Sequence, residues 1–327
     1  MSGVLLGFGV VAVLVATGLI SAILLPAHIR SISEGLTPVI YYITNPALML
    51  VLVAGTDLGL VVGVYTPIAL ITAAVATALY VLFSGVILRR GAARTAVGAM
   101  AASYVNAGNI GLPIALYAVG SAAPVVAVLL AQLLIIAPFY LTAFSLVTRP
   151  SSRNGPGAAE VTPTVGRGRK RTSALVTVTR SVANPVTIGT ALGVLVSVTG
   201  VEVPDVLWKP LEMLGESSIP LLLLLFGMSL HGQRPLTQRA LVPDILGGTI
   251  IKLAAMPAVA WLISWLGFGL TGNELLGVVV MAALPTAQNV FLFSSQFRMP
   301  TKAARDVVFL SSILSFPAIL VIGLLLQ

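Results

Sequence analysis

Four amides stand where the chain is otherwise hydrocarbon. Asn106 and Asn109 lie in MAASYVNAGNIGLPIALYAVG, Gln288 and Asn289 in LPTAQNVFLF, and a proline interrupts each stretch, Pro113 and Pro285. Proline lacks a backbone N–H and pushes away the carbonyl four residues before it, while Gly108 and Gly111 loosen the first stretch further. In a bilayer, backbone groups freed in this way survive only where protein or a water-filled cavity surrounds them. The chemistry on offer is therefore non-covalent. Half-helix N-termini can face an anion, loose carbonyls can face a cation, and amides can bind a carboxylate, a sodium ion or one another. A lone proline reads as a kink and a lone amide as helix–helix glue of about 1 kcal/mol. A matched pair favours a broken-helix binding site built from Asn106, Asn109, Gly111, Pro113, Pro285, Gln288 and Asn289.

Lys252, in IIKLAAMPAVAW, is a cation inside an apolar span. Such a residue is costly unless it reaches water or a partner. Two readings stand: the ammonium faces the binding cavity, or its long stem snorkels to the cytoplasmic end of the span. No Asp or Glu lies centrally in any span, which argues against a carboxylate proton relay. There is no Cys, no cluster with metal-ligand spacing, no nucleophile beside a base and no Gly-rich phosphate loop. An enzyme is not expected, nor a cofactor beyond a coupling ion, H+ or Na+.

The elements that position these residues follow from composition. At 57% hydrophobic and 9% charged, with mean hydropathy +1.05, most of the 327 residues must lie in spans in the lipid bilayer. Apolar runs of roughly 20 residues give ten: 4–25, 36–55, 60–88, 93–118, 122–147, 181–198, 211–230, 243–266, 275–297 and 304–326. The N-terminus has neither a basic region nor a small-residue cleavage site and reads as a retained first span. Residues 148–172, rich in Arg, Gly, Pro and Ser, read as a solvated basic linker between a first five-helix repeat (1–147) and a second (173–327). Alternate loops, with this linker, hold fifteen of the eighteen Lys and Arg. The positive-inside rule then puts the linker in the cytoplasm and both termini outside the cell (inner) membrane. The formal charge of +8 is thus an orientation signal, and nucleic acid is not an expected partner. With an odd number of spans per half, the second half is inverted, and the Pro-interrupted span is fourth in each.

NAGNIGLP, residues 106–113, and the run from Lys252 through Pro257 to the ALP ending at Pro285, with Asn289 four residues on, resemble the auxin efflux carrier family. That family comprises plant PIN-type carriers and bacterial carriers of organic acids; bile-acid sodium symporters share a related architecture. The resemblance implies an all-α membrane fold of ten helices in two inverted five-helix repeats. The fourth and ninth would cross near the midplane at Pro113 and Pro285. It also implies a scaffold of spans 1, 2, 6 and 7, an elevator-like transport domain of spans 3–5 and 8–10, and a homodimer held by the scaffold. Asn45, Pro46 and Ser218 become the scaffold-side candidates, facing Lys252 and the amides across the site. The expected function is a secondary carrier of a small organic anion. A sodium-coupled symporter of a larger amphipathic acid, and a non-transporting scaffold or lipid-binding protein, are the alternatives. The short linker favours a bacterial-type carrier.

Overall fold

A computed structural model describes residues 2–148, 185–232 and 235–326, and among these the chain is helical, with no strand beyond an isolated bridge. The helices are α1 (Ser2–Leu24), α2 (Ile29–Ala54), α3 (Leu58–Ile87), α4 (Ala92–Ser103), α5 (Ala107–Val119) and α6 (Ala123–Val147). After the linker come α7 (Pro185–Thr199), α8 (Asp205–Ser229), α9 (Arg239–Gly267), α10 (Gly272–Ala282), α11 (Asn289–Gln296) and α12 (Lys302–Leu325). Six of them, α2, α3, α6, α8, α9 and α12, are long and apolar enough to cross a membrane. Shorter apolar stretches, Gly9–Leu24, α5, α7 and α10, accompany them. Apart from Thr148, the basic linker lies outside the described residues, as do Asn184 and Arg234.

Several boundaries differ from expectation, α8 starting at Asp205 rather than at 211. Helix α2 starts at Ile29 rather than near Leu36, so Arg30 sits in its first turn, paired with Glu34 at 2.8 Å, instead of in a loop. The fourth span is two helices, α4 and α5, and the chain leaves the helix at Tyr104–Asn106, not at Pro113. Pro113 is buried near the start of resumed α-helix within α5.

The prolines leave a recurrent local signature. The residue before Pro46, Pro67, Pro113, Pro138 and Pro257 donates its N–H to a carbonyl five residues back: Asn45 to Ile40, Thr66 to Val61, Leu112 to Ala107, Ala137 to Gln132 and Met256 to Ile251. A proline ring cannot donate and crowds the carbonyl four residues before it, so the preceding turn opens by one residue and helix resumes beyond. Pro38, Pro210, Pro220 and Pro317 lie within α-helix.

Two groups of helices result. In one, α1 packs along α8, and α2 along α7 and α8. Glycine allows backbone contact there: a Cβ on Gly18 would strike the Leu224 carbonyl, and one on Gly227 the Val15 carbonyl. On α7, a Cβ at Gly189 would meet the Pro46 carbonyl, and one at Gly193 would lie 2.7 Å from that of Leu50. Lipid tails are as apolar as leucine, so close packing of small residues is what holds such pairs together. The other group joins α3, α4, α6, α9, α10 and α12, while α5 also touches α1 and α8. Within it the turns after α3 and α9 match. The Arg90 N–H reaches the Ser84 carbonyl, and the Leu270 N–H the Ser264 carbonyl, each at 3.0 Å. The two bonds are offset by 180 positions, the same offset that separates Asn109 from Asn289 and Val105 from Pro285.

Candidate functional site at the crossed breaks

The two interruptions meet. Residues 104–106 run antiparallel to 285–287, with Val105 opposite Thr286. The Asn106 N–H donates to the Pro285 carbonyl at 2.8 Å, and the Ala287 N–H to the Tyr104 carbonyl at 3.1 Å. Buried extended backbone requires partners for its polar groups, and side chains supply several of them. Thr286 donates its hydroxyl to the Ala101 carbonyl at 2.6 Å, and its N–H is received by the Ser311 hydroxyl at 3.0 Å. From α6, Gln132 Nε2 donates to the Val105 carbonyl at 2.8 Å. The Asn106 carbonyl accepts from the N–H groups of Ile110 and Gly111, at 3.2 and 3.1 Å, and so opens α5.

The expected site residues separate into three sets. Asn106 and Pro285 are joined directly in the crossing, and the Asn106 side-chain amide nitrogen is buried with no hydrogen-bond partner. Asn109 is half-buried one turn along α5, whereas Gln288 and Asn289 are exposed at the start of α11. Gly111 has a packing reason of its own, since a Cβ there would come within 2.7 Å of Leu284 Cδ1. Across from these, Asn45 and Ser218 are buried on α2 and α8, with Asn45 Oδ1, Ser218 Oγ and the neighbouring Thr44 Oγ1 lacking hydrogen bonds. Pro46 is half-buried and presents its carbonyl to Gly189. Helix α8 packs on α2 and on the start of α5, which puts Ser218 on the helix linking the two groups.

Lys252 does not snorkel. It is 0% exposed, and Nζ donates to the Ala282 carbonyl at 3.1 Å and to Met256 Sδ at 2.9 Å. Ala282 ends α10, where helix carbonyls lose their partners and the helix dipole is negative. Lys252 Nζ therefore caps the half-helix that leads into the second break. No described carboxylate pairs with it. Asp244 is taken by Arg90 and Arg94 at 2.9 and 3.3 Å, and Asp306 by Arg305 at 3.2 Å and the Leu236 N–H at 3.0 Å. Beside this capped end lies a small pocket lined by Thr72, Ser103, Val105, Gln132, Met256 and Ala282 among others.

Gln132, Thr286 and Ser311 escaped the sequence reading. Gln132 carried the same signal as Asn106, an amide within an apolar span; Thr286 and Ser311 carried none, because a hydroxyl in a membrane helix ordinarily bonds back to its own turn.

The arrangement can bind and position a polar solute at a helix crossing, and it holds one buried basic side chain, Lys252. The protein of Rhizobium meliloti (strain 1021) named "Putative malonate transporter" is 27% identical over 283 residues, covering 84% of this chain and 81% of that protein. The family described as Membrane transport protein matches residues 10–323. Since that match takes in both breaks and nearly every span, the chain belongs to the membrane transport protein family, as a multi-pass membrane transporter rather than an enzyme.

Proposed function

We propose that the protein is a secondary carrier of small organic anions, dicarboxylates of the malonate kind foremost, and a bacterial-type member of the auxin efflux carriers. The observation that carries this reading is the crossing of two interrupted helices beside Lys252, a buried basic side chain that no described carboxylate pairs with. A buried ammonium without a partner is costly, and an anion at the crossing offsets that cost. The name of the Rhizobium meliloti relative agrees with that chemistry. Asn106 and Asn109 bind the substrate from α5 and Asn289 with Gln288 from α11, shaped by Gly111, Pro113 and Pro285. Asn45 and Ser218 approach from the other helix group.

The carrier has ten spans in two inverted five-helix repeats, a reading supported by the matched bonds at Ser84 and Ser264. The group of α1, α2, α7 and α8 is the scaffold and homodimer interface; the group holding the breaks moves against it in an elevator-like cycle. Glycine contact at Gly18 and Gly227 supports a rigid scaffold. Both termini face outward and the linker is cytoplasmic.

Uptake of a panel of radiolabelled carboxylates into proteoliposomes, with and without a sodium gradient, tests the proposal. Saturable malonate flux that shorter and longer dicarboxylates inhibit is the expected result. Saturable flux of a large amphipathic acid alone would move the assignment to a symporter of that class. No saturable flux across the panel would leave a non-transporting membrane protein.

A further inference from the structure

The turn from α3 into α4 and the turn from α9 into α10 share a backbone but not their charges. In the first, Arg89 is left-handed, φ 51°, and the Arg90 N–H closes on the Ser84 carbonyl; in the second, Gly269 has φ 64°, and the Leu270 N–H closes on that of Ser264. Where the second carries Gly269, Leu270 and Glu274, the first carries Arg89, Arg90 and Arg94. The second turn closes without a cation, and glycine takes the left-handed conformation without the steric cost that an arginine meets there. The arginines of the first turn are therefore not needed to form it.

Those arginines gather at one acid. Arg90 and Arg94 reach the buried carboxylate of Asp244 at 2.9 and 3.3 Å, and both donate to the Ala240 carbonyl, at 3.1 and 3.4 Å. Their side chains stay 25% and 28% exposed, and Nη1 of each bonds no described residue, so both guanidiniums can still take an anion. Exposed Arg89 and Arg239 flank the pair along the chain, and four arginines to one carboxylate leave a net charge of +3. Next to this cluster the surface is hydrocarbon. Helices α3 and α9 touch where a Cβ on Gly247 would strike the Phe83 ring, and the side chains flanking that contact, Leu82 and Val86 on α3 and Leu246 and Ile250 on α9, are exposed. Guanidinium forks match phosphate oxygens, and the apolar helix surface beside them matches acyl chains. A small soluble anion would use only the first of these surfaces.

We propose that the α3–α4 turn and the start of α9 form a binding site for an anionic phospholipid. Arg90 and Arg94 hold its phosphate, Arg89 and Arg239 add charge at the rim, and its acyl chains lie along α3 and α9. The bound headgroup supplies the acceptors that two guanidiniums sharing one carboxylate lack, and it joins the two halves of the chain at this end. The inference goes beyond the assignment as an anion carrier and does not depend on it.

Melting of the detergent-purified protein in lipid-doped micelles tests the site. Phosphatidylglycerol should raise the midpoint by about 2 °C or more over the same amount of phosphatidylcholine, and sodium chloride at about 1 M should remove most of that difference. Glycerol phosphate at the same concentration, a headgroup without acyl chains, should give no shift. The double variant Arg89→Gly, Arg239→Gln keeps Asp244 paired and gives the first turn the glycine of the second. It should melt in phosphatidylcholine at or above the parent's midpoint, yet need about tenfold more phosphatidylglycerol for the same shift. Native mass spectrometry should show phosphatidylglycerol retained by the parent after phosphatidylcholine is lost.

Equal midpoints in the two lipids overturn the inference, as does a parent-like response to phosphatidylglycerol in the variant. A shift that glycerol phosphate produces as well would make the arginines a site for free phosphate and overturn the lipid assignment. If the double variant does not fold, Arg94→Gln, which leaves Arg90 on Asp244, takes its place with the same expected loss of response.

Discussion

The two breaks meet in one crossing but are held in different ways. The first, at Tyr104–Asn106, contains no proline, and its carbonyls accept from neutral donors: the Thr286 hydroxyl, the Ala287 N–H and the Gln132 amide. The second contains Pro285, and the Lys252 Nζ caps the helix before it. The contrast teaches that proline is not what breaks a membrane helix. What is needed is a substitute partner for each backbone group that the break frees, and proline only reduces the number of N–H groups to satisfy.

Substitutions can break this contrast or sharpen it. The largest effect is expected from Pro285→Ala, which adds an N–H within the crossing; malonate flux should fall on the order of 100-fold, the scale of a misplacement of about 1 Å. Pro113→Ala, in resumed helix, should cost only a few-fold, about 1 kcal/mol. Equal losses in parallel flux assays would mean that Pro113 itself defines a break. Next comes Gln132→Leu, which strands the Val105 carbonyl and should lower stability by about 1–3 kcal/mol. Thermal melting in detergent checks it, and an unchanged midpoint would show that the first break does not depend on its neutral cap. Asn106→Ala removes a buried donor that has no protein partner. Stability should hold or rise while malonate affinity weakens about tenfold; a drop in melting temperature at unchanged affinity would make Asn106 structural. Smallest is Asn289→Ala at the exposed start of α11, expected within about 0.5 kcal/mol of the parent in stability. A larger shift would show that Asn289 holds the crossing together as its counterpart region does.

The class of fold was legible in the sequence because apolar runs are long and loops are short, and Pro285 was legible because proline marks its own effect. The first break was misplaced for the same reason. Pro113 drew the eye, whereas Tyr104–Asn106 is held open by Gln132 and Thr286, residues 26 and 180 positions from Asn106 along the chain, and no local pattern reports such partners. Lys252 was readable as important but not as a cap, since a stem of that length reaches a cavity, a helix end or the interface equally well. The amides were legible as a group, yet burial divides them: Asn106 lies inside, while Gln288 and Asn289 lie on the surface.

The widened turns before Pro46, Pro67, Pro113, Pro138 and Pro257 have a consequence for angular phase. Each contains one residue more than an α-turn, so the helix beyond it is rotated by about 100° relative to an uninterrupted one. A stripe of side chains that faces protein before the turn continues on a different stripe after it, and no single helical wheel describes the span. Lys252 sits in such a turn, between Ile251 and Ala255. Removing any one residue of that turn would therefore turn the preceding half of α9, with Asp244, out of register with the half that carries Met256 and away from its partners Arg90 and Arg94. In these spans a single-residue deletion is a rotation, and homologues that differ by one residue there must differ in which faces they bury.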